Sequence, residues 1–166
     1  SHSTAMSEQQ PDPRWSDRQW VLSQVARSGF AFELADERLR SDAGFVLEVL
    51  SCSDAWVLKY AGEQLLMSKE FILAAIRQDI AIRTSAIPLF HYAAKELKDD
   101  KELVMQVVAM HGQSMMCASY ELRGDKEIVV HAVAAEQGHA LKYATEAVRK
   151  DRDFLIQLLH RDGLLL

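Results

Sequence analysis

The sequence predicts an all-α protein made of tandem helical-hairpin repeats, stacked as an α-solenoid or a compact helical array. Three observations carry that prediction. A nine-residue pattern recurs six times along the chain. Three prolines and seven glycines in 166 residues are too few for a turn-rich β-sandwich and leave room for long helical stretches. An apolar share of 49% with 26% charged residues is that of a folded domain rather than a disordered or collagen-like chain. The length suits one domain whose core needs neither disulfide nor metal.

The repeat aligns DRQWVLSQV from Asp17, DAGFVLEVL from Asp42, SKEFILAAI from Ser68, DKELVMQVV from Asp100, DKEIVVHAV from Asp125 and DRDFLIQLL from Asp151. The start-to-start spacings are 25, 26, 32, 25 and 26 residues, so one interval carries an insertion. Positions four, five, six and nine are apolar in every copy, for example Phe45, Val46, Leu47 and Leu50 in the second. On a helical wheel these positions span an arc of roughly 200°. A surface helix needs an apolar stripe of only about 100°. Such a face has to be covered from two sides, which stacked neighbours do and an isolated copy cannot.

The first residue of each copy is Asp or Ser, the residue types that accept a hydrogen bond from the open N–H groups of a helix start. Glu70, Glu102, Glu127 and Asp153 follow in the first turn, where the helix dipole favours acids, one place short of a strict capping box. A second signature comes after each first helix: LADERL at 34–39, YAGEQL at 60–65, YAAKEL at 92–97, CASYEL at 117–122 and YATEAV at 143–148. The column Ala35, Ala61, Ala93, Ala118 and Ala144 precedes the column Leu39, Leu65, Leu97, Leu122 and Val148 by four residues. That spacing predicts one face of a second helix. Arg38, Arg40, Lys98, Arg123 and Arg149 gather at its end, as the dipole favours. Gly29, Gly112, Gly138 and Gly163 fall between the two helices and read as left-handed caps.

Five hairpins and a sixth first helix account for residues 17–166 as a single repeat domain. Residues 1–16 read as an expression-tag remnant, Ser1–Met6, followed by a polar lead-in. Trp15 reads as a lid on the first helix. The sixth copy stops at Leu166 before any second helix. With Leu164, Leu165 and Leu166 left uncovered, the pattern favours an array cut at that point over a natural end.

The pattern D-x-E-[ILV]-V-x-x-[AV]-V followed by Y-A-x-x-x-L resembles the domain of unknown function 4116 repeat family. DKELVMQVVAMHG (100–112) with CASYELRGD (117–125), and DKEIVVHAVAAEQGHALKYATEAVRKD (125–151), carry the resemblance most clearly. DRQWVLSQVARSGFAFELADERLRSD (17–42) fits well. The resemblance spans nearly all of 17–163. The second copy departs at Ala43-Gly44 and the third through its insertion. It implies tandem helical repeats within larger intracellular or host-directed proteins. It implies no assigned activity and no catalytic residue.

Nineteen Lys and Arg against 24 Asp and Glu give a net charge of −5. An acidic chain with dispersed charge lacks the basic face that nucleic acid requires, so no nucleic-acid partner is expected. No run reaches about 18 apolar residues, so no membrane span is expected. Cys52 and Cys117 form no CxxC pair and sit in apolar stretches, which predicts two buried thiols in a reducing setting. The predicted location is intracellular, cytoplasmic in the first place, and delivery into a host cell remains compatible.

Nothing in the sequence assembles a catalytic or metal site, and no cofactor is expected. His91, His111, His131, His139 and His160 have no i, i+4 pair and no HExxH. No GxSxG marks a nucleophile elbow. No GxGxxG or P-loop cradles a phosphate. Tyr60, Tyr92 and Tyr143 share a column and read as core rings with hydroxyls at the rim. The insertion, Ile80–Phe90, is the most individual segment. A helix lengthened through Arg83, a new start at Ser85 and Pro88 near the next first turn are expected there. Ile82, Arg83, Leu89 and Phe90 are the candidate partner-binding residues, because loops on rigid scaffolds commonly carry binding. The expected function is a non-catalytic module that binds another protein or acts as a scaffold within a larger one. The alternative is a small-molecule-binding or enzymatic helical domain with a pocket between hairpins. Homo-oligomerisation through the incomplete sixth repeat is a further expectation.

Overall fold

The computed structural model describes residues 10–82, 88–136 and 138–161. All regular structure among them is helical. Each repeat, however, has three parts where the sequence predicted two. Repeat 1 runs through helix α1 (Arg18–Arg27), a 3₁₀ segment (Gly29–Leu34) and the one-turn helix α2 (Glu37–Arg40). Repeat 2 has α3 (Ala43–Cys52), a 3₁₀ segment (Ala55–Tyr60) and α4 (Glu63–Leu66). Repeat 3 has the longer α5 (Lys69–Ile82), then Leu89–Tyr92 and α6 (Lys95–Lys98). Repeat 4 has α7 (Lys101–Met110), Gly112–Cys117 and α8 (Tyr120–Arg123), and repeat 5 has α9 (Lys126–Ala135), His139–Tyr143 and α10 (Glu146–Lys150). Helix α11 (Arg152–Arg161) opens the sixth.

The Ala and Leu columns do not share a helical face. Ala35, Ala61, Ala93, Ala118 and Ala144 are extended residues, with ψ between 148° and 159°, that separate each 3₁₀ segment from its one-turn helix. The break has a use. The N–H of the next residue is freed from any helical ladder and donates to the preceding repeat instead. Asp36 bonds the Trp15 carbonyl at 2.9 Å, Gly62 that of Arg40 at 2.8 Å, Ala94 that of Leu66 at 2.9 Å, Ser119 that of Lys98 at 2.9 Å and Thr145 that of Arg123 at 3.1 Å. One main-chain stitch therefore joins each of repeats 1 to 5 to what precedes it, so the donor freed by the break is paired.

The long helices stack on their counterparts: α1 on α3, α3 on α5, α5 on α7 and α7 on α9, with each 3₁₀ segment beside the next. Their wide apolar face splits into two. In α1 the fifth and ninth residues, Val21 and Val25, are buried, while Trp20 and Gln24 at the fourth and eighth are only half-covered. In α11 the pattern reverses: Phe154 and Leu158 are buried, whereas Leu155 and Leu159 are not. Positions four and eight therefore face the preceding repeat, and five and nine face the following one. Position six, expected in the core, lies at the rim, half-buried in α1 through α9. Trp15 closes the first end, edge-on to Trp20 with ring centroids 4.5 Å apart, as the sequence predicted.

The expected left-handed caps are met at one of three described glycines. Gly138 alone among the described residues adopts a left-handed backbone, at φ 91°. Gly29 and Gly112 instead permit close approach of the next repeat. A Cβ at Gly29 would lie 2.7 Å from a ring carbon of Trp56, and one at Gly112 would collide with the Ala132 carbonyl oxygen. Gly163 and Leu164–Leu166 lie outside the described residues.

The insertion lengthens α5 to Ile82. Arg83 and Ser85 lie outside the described residues, as does the side chain of Ile82. Leu89 and Phe90 are buried in the core, so the expectation that they present a surface to a partner is corrected. The reason lies in the register. Counted back from Ala93, they occupy the positions that Val57 and Leu58 hold before Ala61, and all four are buried. The insertion precedes these residues and does not include them.

Candidate interaction surface

Most of the polar side chains that could have carried chemistry are consumed by the stack. Four of the five N-cap aspartates of the long helices divide their two oxygens, and Asp17, in the first repeat, only caps. Oδ1 caps its own helix: it accepts the N–H of Trp20 at Asp17 (2.7 Å), Phe45 at Asp42 (2.7 Å), Leu103 at Asp100 (2.9 Å) and Phe154 at Asp151 (3.0 Å). Asp125 accepts from Glu127 at 2.9 Å and Ile128 at 3.4 Å. Oδ2 takes a base from the repeat before: Arg18 to Asp42 at 3.6 Å, Lys69 to Asp100 at 2.5 Å, Lys101 to Asp125 at 2.9 Å and Lys126 to Asp151 at 2.6 Å.

These contacts shift the carboxyls as expected. Lys69, with the Leu103 N–H, holds Asp100 below the usual range, and Lys126 does the same for Asp151. Burial opposes ionisation at Asp125, but Lys101 and the capped N–H groups outweigh it. The junction between repeats 2 and 3 lacks both partners: Ala43 replaces the base, and Ser68 has one oxygen, which caps Phe71 at 3.2 Å. There Gln78 spans the helices, donating to the Leu47 carbonyl at 2.8 Å.

The basic residues ending the one-turn helices also have partners. Arg40 donates to the Ala35 carbonyl at 3.0 Å and across to Tyr60 of the next repeat at 3.2 Å. Arg123 reaches the Tyr143 carbonyl at 3.3 Å, Arg149 that of Ala144 at 3.1 Å and Lys98 that of His91 at 2.6 Å. They act through carbonyl clamping as well as through the helix dipole. The D-[KR] dipeptide at the head of four repeats was the available sequence signal for this lattice, and it went unread.

Among the exposed apolar side chains, a contiguous group lies on the 3₁₀ segments of repeats 1 and 2. Phe30 and Leu34 are 63% and 61% exposed. Counted back from the Ala column, Phe30 and Trp56 are the same position in consecutive repeats, and their rings stand 4.7 Å apart. Trp56 meets Tyr60 edge-on at 6.2 Å. Lys59 lies over this cluster, its Nζ 5.6, 5.2 and 4.8 Å from the Phe30, Trp56 and Tyr60 ring centres. No carboxylate among the described residues pairs with it. Tyr60, Tyr92 and Tyr143 are half-buried at the rim, as their column predicted. Burial pushes the Tyr92 phenol up, against the opposing charge of Lys59. The surface was missed because two exposed apolar residues per 3₁₀ turn have no periodic signature that separates them from core residues.

The remaining candidates stay apart. His111 contacts Ser114 at 2.9 Å and approaches Glu136 at 3.8 Å, His91 packs edge-on to Tyr92, and His160 meets the Ile156 carbonyl at 2.7 Å. His131 and His139 are exposed. Among the described residues no cluster of metal-binding side chains forms. Cys52 is exposed, against expectation, as the last residue of α3. Cys117 is half-buried, and burial pushes its thiol up to about 11, which leaves it little thiolate at neutral pH. Two shallow grooves flank Tyr120 between the one-turn helices α6, α8 and α10. No helix among the described residues is long and apolar enough to cross a membrane.

A family model described as Domain of unknown function (DUF4116) matches residues 69–123 and 100–146. Over that stretch, 78 of the chain's 166 residues, the sequence is similar to the DUF4116 family. The match covers repeats 3 and 4 and repeat 5 as far as Glu146. Repeats 1 and 2 share the helix caps and stitches of that stretch, and α11 shares its cap. Neither curated proteins nor solved structures gave a match.

Proposed function

We propose that this repeat array is a non-catalytic scaffold that binds another protein, and that the outer face of the 3₁₀ segments in repeats 1 and 2 is the binding surface. The observation that carries the reading is exposed Phe30 stacked on half-buried Trp56 and Tyr60, with Lys59 over the three rings and no acidic partner among the described residues. Contiguous exposed apolar side chains with a polar edge mark interaction sites, and aromatic residues dominate binding hot spots. The fitting ligand is a peptide segment that lays an aliphatic or aromatic side chain between Phe30 and Leu34 and offers a carboxylate to Lys59. The stack supplies rigidity, so little ordering entropy is lost on this side when a partner docks.

A peptide-display selection against the intact protein tests this. Recovered sequences should pair a large apolar residue with Asp or Glu. They should lose at least about tenfold in affinity on Phe30→Ser with Leu34→Ser, the loss of one hot-spot contact, at unchanged melting temperature. Peptides that bind the double variant as tightly as the parent would remove the surface from consideration.

A further inference from the structure

Lys59 has a counterpart three repeats on. In repeats 2 and 5 the two residues before the extended alanine are a lysine and a tyrosine, Lys59-Tyr60 and Lys142-Tyr143. The two pairs are built alike. Each lysine Nζ stands over the ring of its own tyrosine, 4.8 Å from the Tyr60 centre and 5.0 Å from that of Tyr143. Each tyrosine carbonyl accepts from an arginine at the end of the preceding one-turn helix, Arg40 at 3.2 Å and Arg123 at 3.3 Å. Both lysines are exposed. Lys69, Lys101, Lys126 and Lys150 each hold a carboxylate. Among the described residues Lys59 and Lys142 hold none. The 3₁₀ segments lie side by side from repeat 1 to repeat 5, so both pairs belong to one face. Between them that face carries His91, edge-on to Tyr92, and Met116, which is 42% exposed.

We infer that Lys142-Tyr143 is a second carboxylate-binding site, and that the ligand is an extended peptide crossing the row of 3₁₀ segments with one acidic residue for each lysine. This second site rests on the same reading of Lys59 and extends it along the array. Charge complementarity argues for the acids. A lysine held on an aromatic face with no carboxylate beside it keeps N–H donors for an anion. The tyrosine rings supply an apolar floor with a polar edge for the peptide's stems. Packing argues for the spacing. Neighbouring helices stand about 8–10 Å apart, so three repeat intervals put the lysines about 24–30 Å apart. An extended chain covers about 3.3 Å per residue, which separates the two acids by roughly eight residues. The residues between them pass His91 and Met116, which favours an apolar side chain there. The two sites are not equal. Gln113 and His139 stand beside Lys142 at the column positions that Phe30 and Trp56 hold beside Lys59, so the second site reads the carboxylate without a large apolar neighbour.

Fluorescence anisotropy on the intact protein tests this with three labelled peptides of equal length in a Gly-Ser background. One carries a single Leu-Glu pair, one carries two pairs about eight residues apart, and one carries two pairs about four residues apart. The wide pair should bind at least about tenfold more tightly than the single pair, because two linked contacts engage together only when the linker spans them. The close pair should stay within about threefold of the single pair, since its linker cannot span the two sites. Lys142→Gln should abolish the gain. Lys150→Gln, at the end of α10 and paired with Glu146, should leave it intact. Equal affinity of the wide and close pairs would overturn the inference, as would a gain that survives Lys142→Gln. The reading of Lys59 fails on a different result, a single-pair peptide that binds Phe30→Ser with Leu34→Ser as tightly as the parent. No binding by any of the three peptides overturns both.

Discussion

Asp100 does two jobs with two oxygens, and they can be separated by substitution. Its Oδ1 accepts the Leu103 N–H at 2.9 Å, and its Oδ2 lies 2.5 Å from Lys69 of the previous repeat. Asp100→Ala removes both. Losing an N-cap acceptor costs about 1 kcal/mol, and a domain of this size loses about 2–4 °C of melting temperature per kcal/mol. Asp100→Asn keeps a capping oxygen of equal quality but discards the charge. Lys69 is half-exposed, and exposed ion pairs contribute little. Asp100→Asn should therefore cost less than half as much as Asp100→Ala. The Asn cost should shrink further in a Lys69→Met background and in high salt, which screens exposed charge, while the Ala cost loses only that same share and its capping part persists in both. Thermal and urea unfolding of the parent, the three single variants and the two double variants provide the cycles. Equal losses for Asn and Ala, or an Asn loss indifferent to Lys69, would refute the division of labour between the oxygens.

Gly112→Ala forces a Cβ onto the Ala132 carbonyl oxygen. Backbone cannot swing aside, so a loss of about 1–3 kcal/mol is expected, whereas Gly124→Ala, whose nearest neighbours stand at 3.3 Å, should cost less in the same unfolding assay. Phe90→Ala empties a fully buried site and should cost about 3–5 kcal/mol, read as a melting temperature lowered by roughly 10 °C; a neutral result would return Phe90 to the surface. Asp100, Asp125 and Asp151 have folded pKa values below the ordinary 3.8. Their contribution is present above that value and is lost as pH falls through the folded values. The melting temperature should hold between about pH 7 and 5 and fall below about pH 4, less steeply when Asp100 and Asp151 are Asn.

The helix starts were legible because an N-cap is a local device: Asp or Ser, then an apolar run, needs only its own turn to be satisfied. The core columns were legible for a related reason. Repetition turns a tertiary fact, burial between neighbours, into a sequence period, and Val46, Val104 and Val129 are buried as that period required. The second half of each repeat was not legible. YA followed by a Leu four residues on has helical spacing, yet the chain breaks at the Ala because the next N–H is better used on the preceding repeat's carbonyl. That donor's partner sits at least twenty residues upstream, outside any local pattern.

The insertion misled for the same reason, since Leu89 and Phe90 look like loop residues when counted forward from Ser68 and core residues when counted back from Ala93. The candidate surface was the least legible of all. Phe30, Trp56 and Lys59 meet only because consecutive 3₁₀ segments lie side by side. By itself, then, the sequence determined the helical class, the unit, its caps and its apolar columns, because these follow from local hydrogen bonding and periodic burial. Only the tertiary structure decided the three-part repeat, the two-oxygen ion-pair lattice and which apolar residues stay in water, because those depend on what the neighbouring repeat brings into reach.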